Sequence, residues 1–184
     1  MIAMDALLNR LAKRYNLGPP DLQRANLAFV TVRRDELRSI LIELRDIEGF
    51  THLVLLTAVD WIEEGRFQLT YLINNGQADR TLGLRVMLDR GQATGDTIHD
   101  LWPTAATYQR ELKEMFGIDF PGSPRLNDEF ILEGWTDLPP YRRDFDTLAY
   151  SQQTYRGRPG RQTHDPREHM KAHLYPDRVP QGAK

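Results

Sequence analysis

Hydrophobic residues recur at helical spacing in three stretches of this 184-residue chain, and each stretch predicts an amphipathic helix. The first helix covers residues 5–15, and the third covers residues 102–116 with Gly117 as its left-handed stop. The second begins at Asp35, which we expect to be its N-cap. The residues predicted to face inward from the second helix are Leu37, Ile40, Leu41, Leu44 and Ile47. Three helices that are apolar on one side need another layer to cover that side.

Four further stretches predict β-strands. Residues 27–32 are rich in β-branched and aromatic side chains, and residues 52–61 form the most apolar stretch, which we expect to be a central strand. Residues 67–73 and 81–88 alternate apolar and polar positions, as half-buried strands do. The asparagine-rich stretch at 74–76 is a turn signal between these two strands.

Together these elements predict an α+β fold over residues 1–120. Its two layers are a mixed or antiparallel sheet of about four to five strands and two or three helices packed on that sheet. Beyond residue 120 the chain is punctuated by prolines and regular structure is not expected: Pro121, Pro124, Pro139 and Pro140. We therefore predict an extended, poorly structured C-terminal arm over residues 121–184, least self-structured from about residue 146.

The formal net charge of −2 conceals two oppositely charged parts. Residues 141–184 hold nine Lys or Arg and five Asp or Glu, a net of +4, so residues 1–140 hold the other 15 basic and 21 acidic side chains, a net of −6. The aliphatic side chains of that tail are few: Leu148, Met170, Leu174 and Val179. Because such a segment buries too little apolar surface to offset the entropy of ordering itself, we expect a partner to shape it.

Composition excludes several classes of protein. The chain has no cysteine, which excludes disulfides, thiolate nucleophiles and cysteine-ligated zinc or iron–sulfur clusters. Its mean hydropathy is −0.55, and its longest apolar run, at 53–59, is too short for a membrane-spanning helix. The first residues include Asp5 and lack the basic and apolar regions of a signal peptide, so we expect a cytoplasmic location.

No residue pattern identifies an active site. The chain lacks a Walker A motif, a dinucleotide-binding glycine fingerprint and a nucleophile elbow. Three carboxylates at a predicted strand end are better explained as solvated charge than as an acid–base pair: Asp60, Glu63 and Glu64. Three tail histidines include two at the spacing of one helix face, but no apolar residues enclose a metal site there: His164, His169 and His173. We predict no catalytic residue, no bound metal and no cofactor.

The arginines and tyrosines that alternate in the tail leave nucleic-acid binding as an alternative. However, these arginines are dispersed among acidic residues, and the rest of the chain is acidic. The same composition suits a segment that wraps around an acidic protein surface, and we favour that interpretation. We therefore expect a protein partner and no nucleic acid.

Two stretches resemble a known family: WPTAATYQRELKEMFGIDFPGSPRL at 102–126 and LEGWTDLPPYRRDF at 132–145. They are similar to the 30-kDa subunit, also called the C subunit, of NADH:quinone oxidoreductase (respiratory complex I), whose homologues also occur in membrane-bound energy-converting hydrogenases. Gln109 and Ser123 depart from the family's Glu and His, and RLNDEFIL replaces a basic stretch. Because of these departures, membership of a hydrogenase-type complex stays an alternative. The closely matching positions are Arg110, Glu111, Glu114, Met115, Phe116, Gly117, Ile118, Pro124, Arg142, Arg143, Asp144 and Phe145.

The resemblance implies a cofactor-free structural subunit in the peripheral arm of a membrane-bound redox complex. From this resemblance we expect the chain to clamp the neighbouring hydrogenase-like large subunit, called the D subunit in complex I, beside other subunits that include an iron–sulfur subunit. We also expect it to support electron transfer to quinone coupled to proton translocation, on the cytoplasmic side of the cell membrane, which it would reach only through the complex. The alternative is the equivalent small subunit of a membrane-bound energy-converting nickel–iron hydrogenase or formate hydrogenlyase-type complex. Nucleic-acid binding is a lesser alternative.

The resemblance also implies structural and partner-interface residues. We expect Gly117 to take a positive φ, and Arg110 and Glu111 to form a hydrogen-bonded ion pair within the domain or across the interface. Two prolines stiffen the approach to the closing Arg-Arg-Asp-Phe motif, whose arginines and phenylalanine resemble interface anchors. The full predicted set is Arg110, Glu111, Phe116, Gly117, Pro124, Pro139, Pro140, Arg142, Arg143, Asp144 and Phe145.

Overall fold

The chain divides into two compact units, Met1–Phe145 and Asp146–Lys184, and the computed structural model describes residues 4–155. Of the described elements, the last helix alone belongs to the second unit. The elements in chain order are α1 (Met4–Ala12), β1 (Asp21–Arg24), β2 (Leu27–Thr31), α2 (Arg34–Asp46), β3 (His52–Trp61), a 3-10 turn (Ile62–Glu64), β4 (Arg66–Asn75), β5 (Arg80–Asp89), α3 (Ala105–Phe116) and α4 (Thr147–Thr154).

The strands form one mixed sheet in the order β1-β2-β5-β4-β3. β2 pairs with β5 in parallel, and the other three pairs are antiparallel. The predicted α+β fold is confirmed, with five strands in the sheet and with α1, α2 and α3 contributing side chains to one core. β1 escaped prediction because its four residues, DLQR, include a single apolar side chain.

β4 lines the core, and its predicted alternation is confirmed. Its alternate side chains are almost completely buried, while the positions between them are mostly partly exposed. This alternation shows that the helices cover one face of the sheet and leave the other face more open, as in a two-layer domain. The buried β4 residues with apolar or aromatic side chains are Phe67, Leu69, Tyr71 and Ile73.

β3 is an edge strand, so the prediction that it is central was wrong. The strand is apolar on both faces: Leu53 and Leu56 are buried, whereas Val59 and Trp61 are 42% and 40% exposed. Continuous hydrophobicity along a strand does not distinguish a central position from an edge position with two apolar faces. The pairing of β3 with β4 is also irregular, with a shift of register between Leu53 and Leu55.

Side-chain donors occupy two backbone carbonyls near the start of β3. The Trp102 indole N–H donates to the Thr51 carbonyl at 3.1 Å, and the Tyr108 hydroxyl donates to the Val54 carbonyl at 2.9 Å. Tyr108 lies on α3, and Trp102 precedes that helix. These bonds tie β3 to the α3 region and use acceptors that an edge strand otherwise leaves open.

Two details of the second predicted helix were wrong. The N-cap of α2 is Arg33, and the Asp35 carboxylate instead accepts hydrogen bonds from the Arg33 guanidinium at 3.0 and 2.6 Å. Ile47 is the C-cap and is 71% exposed, because it lies past the last helical turn, where helical periodicity no longer directs a side chain to the core. The other four inward-facing residues predicted for this helix are buried.

The end of α3 agrees with the sequence. Gly117 is the C-cap with a φ of 76°, so the predicted left-handed conformation is confirmed.

From residue 121 to residue 145 the chain forms no helix or strand and still belongs to the first compact unit. The domain boundary at residue 120 stays a prediction. The helix α4 in the second unit differs from the expectation of no regular structure beyond residue 120. The Asp146 side chain caps this helix by accepting from the amides of Leu148 and Ala149.

Candidate functional site

A buried ion pair joins the end of β3 to the residue that follows β5. Arg90 Nε donates to Asp60 Oδ1 at 2.8 Å, and Arg90 Nη2 donates to Asp60 Oδ2 at 3.1 Å. The Asp60 side chain is 1% exposed, and that of Arg90 is 17% exposed. A bidentate contact between guanidinium and carboxylate fixes both side chains in one geometry. The prediction that Asp60 is a solvated charge was therefore wrong.

The partners of Asp60 keep it ionised despite its burial. Burial raises the pKa of the Asp60 carboxyl, but hydrogen bonds from the Arg90 guanidinium and the Arg143 amide outweigh burial and place the pKa below its usual range. Arg90 in turn has a raised pKa, because it donates hydrogen bonds to Asp60 and Asp144. Near neutral pH the cluster is a fixed set of charges that exchanges no protons.

The Arg-Arg-Asp-Phe motif binds to this ion pair. Asp144 Oδ1 accepts from Arg90 Nη2 at 2.6 Å, and the Arg143 amide donates to Asp60 Oδ2 at 2.9 Å. The Arg143 guanidinium donates to Glu63 in the 3-10 turn. The hydrogen bond from Arg90 lowers the pKa of Asp144, and the hydrogen bond from Arg143 lowers the pKa of Glu63. The motif is thus attached to the ends of two strands.

Two guanidinium groups lie over the buried ring of Phe67. Those of Arg142 and Arg90 are 5.4 and 5.6 Å from the ring centroid. Arg142 Nη2 also donates to the Arg90 carbonyl at 3.4 Å. Contacts between a guanidinium and an aromatic face are favourable, and more so when water is excluded from them. The first arginine of the motif is therefore packed into the domain.

The residue before the motif covers the end of α3. The Tyr141 amide donates to the Met115 carbonyl at 3.0 Å. The Tyr141 ring meets Phe116 edge to face, with centroids 5.6 Å apart, and Phe116 meets Phe67 in the same way at 6.0 Å. This row of three rings connects the arm to the core through edge-to-face contacts, a preferred geometry for aromatic pairs.

Two features favour glycine at position 117. Its positive φ is one that other residues rarely adopt. A Cβ atom at this position would also lie 3.3 Å from Pro139 Cγ. Pro140, the next residue after Pro139, is partly exposed. Further along the same segment, the Phe145 ring packs against Trp135, with ring centroids 5.6 Å apart. The turn at Gly117 therefore makes room for the returning proline segment.

Arg110 and Glu111 lie on α3, and no salt bridge joins them within residues 4–155. The Arg110 guanidinium instead lies 5.5 Å from the ring centroid of Phe130. Its buried Nε has no hydrogen-bond partner among the described residues. An ion pair of Arg110 or Glu111 across an interface stays a prediction.

Glu114, which lies on α3 together with Arg110 and Glu111, holds part of the arm in place. Its carboxylate accepts hydrogen bonds from the backbone amides of Phe130, Ile131 and Leu132 at 2.6, 2.9 and 3.1 Å. Successive amides directed at one anion form a binding concavity for negative charge. Residues 130–132 are therefore held against α3 by one side chain.

The structure brings six of the predicted site residues into one cluster: Phe116, Gly117, Pro139, Arg142, Arg143 and Asp144. Pro124 is exposed and follows a turn closed by the Ser123 amide, which donates to the Phe120 carbonyl at 3.0 Å. The roles of all these residues at a partner interface stay predictions.

Sequence reasoning missed the roles of Asp60 and Arg90 at the centre of the cluster. The signal at Asp60 was its place near the end of the most apolar strand, where a carboxylate that is buried needs a charged or hydrogen-bonding partner. Arg90 is the first residue after β5, and no local motif marks it.

Residues 4–155 contain no group of three His, Asp or Glu side chains arranged to hold a metal ion. Over the same range, no helix has the length and apolar character that crossing a membrane requires. The three tail histidines lie outside the described residues.

Residues 30–151 match the family described as respiratory-chain NADH dehydrogenase, 30 Kd subunit. The chain is 29% identical over 150 residues to the NADH-quinone oxidoreductase C subunit of Moorella thermoacetica, covering 77% of this chain and 95% of that protein. It is 30% identical over 131 residues to the NADH-quinone oxidoreductase C subunit of Citrifermentans bemidjiense, covering 70% of this chain and 80% of that protein.

Two solved structures share the fold. A chain of the membrane-bound sulfane sulfur reductase, an archaeal respiratory membrane complex, has a TM-score of 0.73 at 27% identity, covering 88% of this chain and 95% of that chain. A trypsin-resistant fragment of Nqo5 has a TM-score of 0.55 at 22% identity, covering 65% of this chain and 96% of that chain. The second similarity shows the fold alone.

Proposed function

The chain belongs to the family of the 30-kDa subunit of respiratory-chain NADH dehydrogenase, and we propose that it is a structural subunit in the peripheral arm of a complex I-type membrane-bound redox complex. In this proposal the chain has no catalytic residue and no cofactor of its own. It clamps a hydrogenase-like large subunit, equivalent to the D subunit of complex I, and so supports electron transfer to quinone coupled to proton translocation.

The observation that carries this proposal is the attachment of the Arg-Arg-Asp-Phe motif to the domain. Residues 139–145 form no helix or strand, yet bonds to Asp60 and Arg90 and stacking on Phe67 hold them in place. The residues that follow Phe145 thus start from a fixed point of a folded domain. A segment that is already fixed at one end has less freedom to lose when it binds a partner.

The division of charge supports a protein partner. Residues 141–184 have a net charge of +4 and few aliphatic side chains, so they suit an acidic protein surface better than a core of their own. We propose that residues 121–184 supply the arm that binds the large subunit, and that other peripheral-arm subunits, including an iron–sulfur subunit, border the chain. The chain then lies on the cytoplasmic side of the membrane and reaches it only through the complex.

A second candidate is the equivalent small subunit of a membrane-bound energy-converting nickel–iron hydrogenase or formate hydrogenlyase-type complex. The similarity to a chain of the archaeal sulfane sulfur reductase supports keeping a second candidate, because a similar chain occurs there in a respiratory membrane complex with another named activity. The two candidates share the scaffold role and differ in the reaction that the large subunit performs.

Purification of the affinity-tagged full chain from native membranes at low detergent tests both candidates. The leading proposal expects a hydrogenase-like large subunit without nickel to co-purify with NADH-oxidising subunits. The second candidate expects a large subunit that binds nickel and iron. Recovery of the tagged chain without any large subunit would overturn both. Redox turnover by the isolated chain would overturn the noncatalytic role.

A further inference from the structure

Residues 126–141 combine exposed apolar side chains with charge of one sign. The segment holds four acidic residues and no lysine or arginine: Asp128, Glu129, Glu133 and Asp137. Ile131 is 67% exposed, Tyr141 is 57% exposed and Leu138 is 37% exposed. Large apolar side chains that are exposed together in one short segment are typical of an interaction site.

The exposed position of Ile131 is fixed by the backbone around it. The amides of residues 130–132 all donate to the Glu114 carboxylate. Turning the Ile131 side chain inward would break these bonds and leave their donors without acceptors. An apolar group that is held ready on the surface binds with little further loss of entropy.

A cleft of about 280 Å³ lies between the end of α3 and the same segment. The Trp135 indole N–H donates to the carbonyls of Asp137 and Leu138 at 3.0 and 3.2 Å, which fixes one wall. The apolar lining consists of Leu126, Leu132, Trp135 and Pro139, and the acidic lining consists of Glu114, Asp128, Glu129 and Asp137.

Negative charge remains in the cleft after the internal ion pairs are formed. Lys113, the one basic residue of the lining, pairs with Asp119 outside it at 2.8 Å. Asp128 pairs with Arg125 at 2.6 Å, but both side chains are exposed, so that pair is weak. Asp137 forms no salt bridge within residues 4–155. Apolar walls with acidic groups at the rim suit a long basic side chain, whose stem packs while its charged end meets carboxylates.

We propose that residues 126–141 bind a basic segment of another subunit of the complex. A lysine or arginine side chain of that segment enters the cleft, and an apolar neighbour covers Ile131. This inference rests on the proposed function, because it names the chemistry of one partner surface within the assembly. It concerns the first, acidic part of the arm, residues 126–141, whereas the proposed function rests on the closing motif and the basic tail that follow.

A photo-crosslinking amino acid placed at Ile131 of the tagged full chain, assembled in native membranes, tests the proposal. The matched control has the same amino acid at Ile47, an isoleucine of similar exposure at the end of α2. We expect the Ile131 position to crosslink to a segment of another subunit that has a net positive charge, and the Ile47 position to give no such product. A crosslink to a neutral or acidic segment or to this chain's own tail, or no crosslink within an assembled complex, would overturn the proposal.

Charge reversal gives a second readout of the same contact. Glu133→Lys with Asp137→Lys should lower the crosslink yield from Ile131 about tenfold and make it less sensitive to salt. The control variant, Asp5→Lys with Glu64→Lys, reverses two other exposed carboxylates and should leave the yield unchanged. An unchanged yield in the first variant, with the large subunit still co-purifying, would refute this inference and leave the proposed function standing. Failure of the unaltered chain to co-purify with any subunit would refute both.

Discussion

Arg90 Nη2 donates to Asp60 and to Asp144 at once, at 3.1 and 2.6 Å. The two carboxylates differ in exposure, since the Asp60 side chain is 1% exposed and that of Asp144 is 39% exposed. The contact with Asp60 therefore belongs to the domain itself, and the contact with Asp144 attaches the closing motif to it. The Arg90 guanidinium thus both stabilises the buried carboxylate and attaches the closing motif. These two roles lead to separate predictions for the stability of the domain and for the assembly.

Arg90→Ala should destabilise the domain strongly, because it leaves the buried Asp60 carboxylate without its main partner. We expect the free energy of unfolding, measured by urea denaturation, to fall by about 3–5 kcal/mol. Arg125→Ala is the matched control, since it breaks an exposed pair with Asp128 and should change little. Equal losses in the two variants would contradict the structural role of the buried pair.

The lowered pKa values of Asp60 and Asp144 predict a loss of stability in acid. Such carboxyls titrate at about pH 3.9 in an unfolded chain and at lower pH in this fold. At pH values between the folded and the unfolded pKa, the unfolded state therefore binds more protons than the folded state. The stability contributed by these carboxylates is present above about pH 4 and is lost as the pH falls through the folded pKa values.

Urea denaturation from neutral pH down to about pH 2.5 measures this effect. The variant with Asp60→Asn and Asp144→Asn should lose less stability over the acid part of that range than the unaltered chain does. The decline should not vanish, because Asp100 has a pKa lowered in the same way by its hydrogen bond from Arg38. Parallel curves for the variant and the unaltered chain would argue against these two carboxyls.

Gly117→Ala should combine backbone strain with a close contact to Pro139. Gly65→Ala isolates the strain, because Gly65 has a φ of 63° and no atom lies within 4 Å of the added Cβ. Gly76→Ala has neither problem. In thermal unfolding we expect a loss of about 1–2 kcal/mol for Gly65→Ala, a larger loss for Gly117→Ala and almost none for Gly76→Ala. A Gly117 variant as stable as the Gly76 variant would show that the turn tolerates a side chain.

Arg142→Ala with Arg143→Ala should weaken assembly and leave the domain folded. The Arg143 guanidinium pairs with the exposed Glu63, so its loss costs the isolated chain little stability. The loss of Arg142 also removes a guanidinium from the Phe67 ring, which should lower the free energy of unfolding by about 1–2 kcal/mol without unfolding the domain. We expect recovery of the large subunit with the tagged chain to fall about tenfold, as for interface arginines that anchor a partner. Arg66→Ala, at another exposed arginine, should not reduce recovery. Undiminished recovery beside a normal melting curve would count against the clamp.

The local sequence pattern predicted the structure correctly where a residue's environment depends on its near neighbours in the chain. The alternation of β4 and the left-handed turn at Gly117 follow from spacing and from the freedom of glycine, and both are confirmed. The place of β3 in the sheet depends on which strands pair with it, and its own hydrophobicity gives no information about pairing.

The centre of the candidate site was hidden for the same reason. Asp60 and Arg90 are 30 residues apart in the sequence, and neither residue alone shows that the other will lie beside it. The resemblance to the 30-kDa subunit of complex I, which the family match confirms, drew attention to Arg142, Arg143 and Asp144. It did not show that this motif is attached to the domain through an ion pair, because that contact is a property of the folded chain.

The bonds at the start of β3 matter most before assembly, when a newly made chain is alone in the cell. An edge strand of ten residues with apolar side chains on both faces is a template on which another chain can add a strand and begin an aggregate. The irregular pairing near Leu53 and the hydrogen bonds that fill the Thr51 and Val54 carbonyls interrupt that template. We therefore expect these contacts to protect the chain from self-association during the interval between synthesis and incorporation.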